Sequence, residues 1–181
     1  MFFDSKEIFL KNGHSALLRN PESADASEMM IFLRTCFAET DFLMRYPEEW
    51  TQTDECEAKY IESTNASAGV MMIICIVDGQ IVGNSTISFN QALKVRHRAT
   101  ISVGILSKYW GLGIGRIMCS EMISYAKEHG VLQIELDYIE GNERARNLYE
   151  SMGFVHTGET PNAVRLKDGT MLKAYSMVKA I

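Results

Sequence analysis

Three alternating glycines mark the segment Tyr109-Trp110-Gly111-Leu112-Gly113-Ile114-Gly115-Arg116. The run before it, residues 100–106, is β-branched and aliphatic, and apolar residues recur at spacings of three and four after it. This pattern predicts a strand, a glycine turn and a helix. Glycine adopts positive φ without a Cβ clash and lets a ligand approach the backbone. Because free N–H groups at a helix N-terminus favour anions, the segment predicts a phosphate-binding turn.

The spacing of the glycines separates this turn from two other phosphate-binding motifs. Gly111-x-Gly113-x-Gly115 lacks the G-x-G-x-x-G spacing of dinucleotide-binding turns, and no Gly-Lys-Ser/Thr follows it. A nucleotide-binding oxidoreductase is therefore disfavoured. On these residues alone, a tight strand-to-helix corner without a ligand remains an alternative.

A second segment supplies a family resemblance. The chain matches the pattern Asn-x-x-Ala-x-x-x-Tyr-x-x-x-Gly-Phe at Asn142, Ala145, Tyr149, Gly153 and Phe154. Together the two segments resemble the GCN5-related N-acetyltransferases (GNAT), whose later helix has this pattern. The family's glycine turn reads Arg/Gln-x-x-Gly-x-Gly/Ala; the chain matches it at Gly113 and Gly115 and carries Trp110 at the Arg/Gln position.

The predicted fold class is mixed α/β with three layers. A length of 181 residues predicts one domain over 1–181, with a motif-bearing core at about 97–157. The resemblance implies a central, mostly antiparallel sheet with helices on both faces and parallel but splayed fourth and fifth strands. A splay leaves backbone N–H and C=O groups without partners. The extended pantetheine arm of a cofactor can pair with them as an added strand would.

Local signals place several element boundaries. Asp78-Gly79 predicts a hairpin turn, and Gly130 ends the helix after the glycine turn. Asn142 is expected to cap the following helix. Asp25 and Glu28 have the spacing of a capping box.

Three segments have weaker patterns. Residues 1–13 allow a short strand or a loose arm, and residues 154–157 and 172–181 are predicted as a closing antiparallel pair. Residues 39–50 are irregular and aromatic. This segment either forms one wall of an acceptor pocket, as the resemblance implies, or folds over the core.

Composition limits the partners. The net charge of -5 argues against nucleic acid or an anionic membrane surface as a partner and favours a cationic acceptor by steering. Four cysteines lie far apart without metal-ligand spacing, so no metal site is predicted and buried free thiols are expected. No apolar run approaches 18 residues, and a cytoplasmic location is expected. A homodimer is left open.

The resemblance implies a reaction: direct attack of a primary amine on acetyl-CoA, the acetyl donor and co-substrate. The catalytic residues would be Tyr149, which protonates the leaving thiolate, and Ile105, whose N–H stabilises the oxyanion. A phenol near pKa 10 keeps its proton at neutral pH and can donate it. The predicted cofactor-binding residues are Val103, Gly104, Ile105, Gly111, Leu112, Gly113, Ile114, Gly115, Arg116 and Asn142.

Other questions stay open at the level of sequence. Thr100 stands near the position where many family members carry a glutamate base, so Glu39, His97 and Glu135 are the candidate bases. Tyr149 continues an apolar helix face and would be a core residue if the chain were a catalytically silent CoA-binding regulatory or interaction module. The acceptor is a small amine, polyamine, aminoglycoside, amino acid or protein N-terminus.

Overall fold

The computed structural model describes residues 1–181 as one sheet with helices on both faces. Its strands are β1 (Lys6–Phe9), β2 (Ser15–Arg19), β3 (Val70–Val77), β4 (Gln80–Phe89), β5 (Arg98–Ile105), β6 (Gln133–Ile139), β7 (Val155–Arg165) and β8 (Met171–Ala180). Its helices are α1 (Ala26–Glu39), α2 (Asp54–Ala66), α3 (Ile114–Glu128) and α4 (Glu143–Ser151). The predicted element order is confirmed, and residues 6–9 form an additional first strand.

The sheet has the strand order β1-β2-β3-β4-β5-β6-β8-β7, and only the β5–β6 pair is parallel. The main core cluster lies between the sheet and the face that carries α3 and α4. A smaller cluster lies on the other face, where α1 packs against β3 and β4. The predicted mixed α/β fold class is therefore confirmed.

The two parallel strands pair over three residues and then separate. The pairing runs from Arg98 opposite Gln133 to Thr100 opposite Glu135. Beyond it, β5 stays paired with β4 up to Ile105, and β6 stays paired with β8 up to Ile139. The predicted splay therefore exists, and with the additional first strand it lies between β5 and β6.

The turns follow the local signals at most positions. Asp78 and Gly79 have φ values of 50° and 80° in the β3–β4 hairpin, and Gly130 has φ 76° just after α3. The capping box predicted for Asp25 and Glu28 is wrong. The Asp25 carboxylate instead binds Arg19 and accepts the Glu22 N–H, so it is not available to cap α1.

The closing strands are longer than predicted. β7 contains Gly158, Pro161 and Asn162, which interrupt any alternation in the sequence. The strand still forms because it is at the edge of the sheet. A proline in an edge strand can lack its N–H without breaking a hydrogen bond to a neighbouring strand. Its register against β8 shifts between Thr160 and Val164, which accommodates the interruption.

All four cysteines are free thiols. Cys36, Cys75 and Cys119 are buried as expected, but Cys56 is exposed on α2. Burial raises the pKa of the Cys119 thiol to about 12. None of the helices combines the length and the apolar character that crossing a membrane requires.

Candidate active site

The gap between β5 and β6 opens into a cavity of about 310 Å³. Its walls are the separating ends of the two strands, the segment after α1, the start of α3 and one face of α4. The predicted site residues that line it are Val103, Gly104, Ile105, Gly115, Asn142 and Tyr149. The structure thus brings together residues from both sequence motifs around one space.

The glycine turn continues beyond one end of this cavity. Gly111 and Gly113 have φ values of 79° and 96°, and Gly113 is the N-cap of α3. None of the six backbone N–H groups from Gly111 to Arg116 donates to a protein acceptor. Free N–H groups at the start of a 15-residue helix are suited to bind an anion. The predicted residues Gly111, Leu112, Gly113, Ile114 and Arg116 do not line the cavity.

The backbone of β5 presents hydrogen-bonding groups to the gap. The Leu106 N–H bonds the Val82 carbonyl on β4 at 3.0 Å. Because these groups alternate in direction along an antiparallel strand, those of Val103 and Ile105 face the gap, whereas those of Gly104 face β4. Val103 and Ile105 are therefore the two residues of β5 whose N–H groups an extended ligand could reach.

Trp110 and Arg144 form a contact at the cavity wall that the sequence did not predict. The Trp110 indole N–H donates to the Ile105 carbonyl at 2.7 Å. The Arg144 guanidinium lies 4.7 Å from the centroid of the Trp110 ring and has no carboxylate partner. Position 110 therefore carries no cation itself, but α4 supplies one beside it.

Tyr149 belongs both to the core and to the cavity. It is 8% exposed, and its ring packs edge-on against Phe154 with 5.8 Å between the centroids. Burial, and to a lesser degree the neighbouring Cys119, raise the pKa of the Tyr149 phenol, and no hydrogen bond within the protein lowers it. The phenol is therefore protonated at neutral pH and keeps its hydroxyl free for a ligand.

The candidate bases lie in different places. Glu39 lines the cavity, and its carboxylate accepts the Ser107 N–H at 2.7 Å. His97 and Glu135 do not line it. The hydrogen bond with Arg98 lowers the pKa of Glu135, whose carboxylate is bound by that guanidinium on both oxygens.

Asp137 is a carboxylate of the cavity that the sequence reading missed. It lies on β6 beyond the last residue paired with β5, and its carboxylate accepts the Ser176 hydroxyl at 2.6 Å. Glu135 and Asp137 point to the same face because side chains alternate along a strand. Only the register of the sheet shows that Glu135 is the last residue paired with β5 and that Asp137 lies beyond it, in the gap.

Asn142 has the predicted capping role and also lines the cavity. Its side-chain carbonyl accepts the Ala145 N–H at 3.1 Å, which caps α4. On the opposite wall, Phe42 approaches Gly141, where an added Cβ would meet the phenyl ring at 3.6 Å. The irregular segment after α1 thus forms a wall of the cavity and reaches across to the start of α4.

Comparisons with known proteins agree with this geometry. The model of the acetyltransferase (GNAT) family matches residues 34–154. The L-amino acid N-acetyltransferase AaaT of Escherichia coli is 28% identical over 112 residues, which cover 61% of this chain and 68% of that protein. The [ribosomal protein bS18]-alanine N-acetyltransferase of Haemophilus influenzae is 37% identical over 75 residues, 41% of this chain and 51% of that protein.

The fold also matches a solved structure over nearly its whole length. A GNAT acetyltransferase from Streptococcus pneumoniae superposes with a TM-score of 0.85 and 28% sequence identity. The match covers 92% of this chain and 99% of the other. The likeness therefore extends beyond the two sequence motifs.

Proposed function

Because this chain belongs to the acetyltransferase (GNAT) family, we propose that it transfers the acetyl group of acetyl-CoA to an α-amine, with Tyr149 as general acid. One observation carries the proposal. The free Tyr149 hydroxyl, the gap-facing groups of Ile105 and the Asp137 carboxylate all border the same cavity. An acid, an oxyanion donor and a base are the groups that acyl transfer to an amine requires.

Acetyl-CoA is the co-substrate. The protein offers hydrogen-bond donors to successive parts of this molecule. The N–H groups from Gly111 to Arg116 would bind the pyrophosphate. Arg144 would add a cation beside Trp110. The backbone groups of Val103 would pair with the pantetheine arm, and Asn142 would meet it at the start of α4.

The chemical step follows from the groups around the cavity. The amine attacks the thioester carbonyl, whose oxygen becomes negative and accepts the Ile105 N–H. A preorganised donor of this kind contributes about 3 to 4 kcal/mol in other acyl transfers. The C–S bond then breaks, and the Tyr149 phenol gives its proton to the thiolate. Tyr149 regains a proton from the amine through the base or solvent.

Asp137 is the base that we propose. An α-amine with a pKa near 8 is only about one part in ten neutral at pH 7, so a base that takes up its proton assists the attack. Glu39 also lines the cavity, but the Ser107 N–H already occupies one of its carboxylate oxygens. Asp137 is held by a hydroxyl, which can rotate, and it lies on the strand that borders the gap.

Asp137→Asn should therefore lower kcat/KM at pH 7 by about 10²-fold. The deficit should shrink as pH rises, because the amine then loses its proton without help. A pH–rate profile of kcat/KM measures both effects. Glu39→Gln is the matched comparison, since it removes the other cavity carboxylate; a loss confined to that variant would assign the base to Glu39.

The α-amine acceptor is supported by the two curated relatives. One is named for L-amino acids and the other for an alanine of ribosomal protein bS18, so both names describe N-acetylation of an amino acid. The silent CoA-binding module is not favoured, because Tyr149 and Asp137 both reach the cavity.

Acetyl-CoA binding and turnover test the proposed function together. At 100 times its Kd, acetyl-CoA should stabilise the protein by about 2.7 kcal/mol, which raises Tm by about 5 to 10 °C, while NAD should not. Thiol release should then depend on an added amine. No thermal shift, or a thiol release that no amine in a broad panel accelerates, would contradict the proposal.

A further inference from the structure

A second cavity of about 290 Å³ adjoins the first across the segment that follows α1. Thr40, Leu43 and Met44 line both cavities. The far wall of the second cavity is the end of β7, from Ala163 to Leu166. Since the two spaces share these residues, the second cavity lies directly beside the first.

Contacts between distant parts of the chain hold this cavity open between two walls. The Lys167 N–H donates to the Tyr46 hydroxyl at 2.9 Å. The Lys167 ammonium pairs with Glu48 and lies 4.2 Å from the centroid of the Tyr46 ring. The turn after β7 is thereby fixed against residues 46–49, so the second cavity is a defined feature of the fold.

The position of the second cavity fits the acceptor. No residue of the glycine turn or of α4, where the proposed function places the CoA moiety, lines the second cavity. The acceptor must reach the thioester from a direction that the CoA moiety leaves free. The segment that follows α1 lines both cavities and offers such a direction.

The polar groups of the second cavity indicate what it binds. Arg45 and Arg165 line it, and neither forms an ion pair with a carboxylate of the protein. Arg45 stacks over Trp50 at 5.3 Å from the ring centroid. Glu49 also lines the cavity, but its carboxylate accepts the Tyr46 N–H at 2.7 Å.

The lining also has an acidic and an apolar part. Asp41 follows the shared residue Thr40 and has no partner in the protein. Leu43, Met44, Val164 and Leu166 supply apolar surface. The cavity thus combines two unpaired cations, a carboxylate beside the first cavity and apolar walls, a combination that suits a zwitterion with an apolar side chain.

We propose that the second cavity selects acceptors that carry a carboxylate, which Arg165 binds with help from Arg45. Guanidinium groups bind carboxylates through two parallel hydrogen bonds, which favour this group over a neutral amide. The proposal rests on the proposed function and narrows its acceptor. The carboxylate is either the α-carboxylate of a free amino acid or one in the side chain of an acceptor.

The test compares acceptors with and without the carboxylate. L-leucine should have a KM about 10- to 100-fold lower than L-leucinamide, as expected for loss of a charged hydrogen-bonded pair. Arg165→Gln should remove this preference, and Arg165→Lys should keep part of it. Arg96→Gln is the control, because Arg96 is exposed and lines neither cavity. Equal KM values in the wild type, or an unchanged preference in Arg165→Gln, would overturn the proposal.

Two further experiments show which carboxylate is bound and whether the site binds it without turnover. L-glutamine and L-isoglutamine differ in which carboxylate is free, so the lower KM identifies the α-carboxylate or the side-chain carboxylate as the group bound. Calorimetric binding of N-acetyl-L-leucine and N-acetyl-L-leucinamide, with CoA present, needs no turnover. If no amine is acetylated but the acid still binds more tightly than the amide, the proposed reaction fails and the carboxylate site stands. Equal affinities for N-acetyl-L-leucine and N-acetyl-L-leucinamide would contradict the proposed carboxylate site.

Discussion

Replacing Tyr149 with phenylalanine should lower kcat by roughly 10² to 10⁴ and leave acetyl-CoA affinity unchanged, because the change removes only the proton that the thiolate needs. The ring keeps its contact with Phe154, and volume is nearly conserved, so stability should change little. The hydroxyl has no protein partner, so its loss leaves no buried group unpaired. Single-turnover kinetics and calorimetric titration of acetyl-CoA measure the two effects separately.

Tyr138→Phe is the matched control. Tyr138 is 7% exposed and lines the same cavity, but its hydroxyl lies 3.3 Å from the His156 ring nitrogen. This variant should keep nearly full turnover. Loss of an interaction made only in the transition state lowers kcat without changing binding. If Tyr149→Phe has the wild-type kcat, and chemistry is shown to be rate-limiting, Tyr149 is not the general acid and its role is purely structural.

Gly113→Asp should weaken acetyl-CoA binding by about a hundredfold or more, because like charges near 4 Å at a protein surface repel by about 4 kcal/mol. Gly113 is the N-cap of α3, at the centre of the six free N–H groups. A carboxylate there would lie against the pyrophosphate and would also compete for the same donors. Calorimetric titration of acetyl-CoA measures the loss directly.

The control for this variant is Gly130→Asp, at the other end of the same helix. Gly113 and Gly130 both have positive φ, at 96° and 76°; an added Cβ meets only the Lys11 side chain, at 3.7 Å, at Gly113 and nothing within 4 Å at Gly130. Both variants therefore carry a similar backbone strain of about 1 to 2 kcal/mol and the same added charge. Normal affinity in Gly113→Asp would show that the turn is only a corner, and equal losses in both variants would assign the effect to stability.

The sequence motifs predicted those parts of the site that depend on short-range structure. The glycine turn, the α3 N-terminus and the Asn142 cap each form within a few residues, so their patterns are visible in the chain. The splay between the parallel strands came from family resemblance and is confirmed by the register. The failed capping box at Asp25 shows the limit of this reasoning, since Arg19 on β2 competes for the same carboxylate.

The sequence by itself determined the family, the fold class and the two segments that contribute residues to the cavity, because each has a local pattern with its own physical cause. Only the tertiary structure showed that Asp137 lines the cavity and Glu135 does not, since the pairing of β5 with β6 stops at Thr100 and Glu135. It alone placed Arg144 on Trp110 and joined the walls of the second cavity through Lys167 and Tyr46, 121 residues apart. These contacts depend on strand register and on packing between distant segments, and no spacing along the chain encodes either.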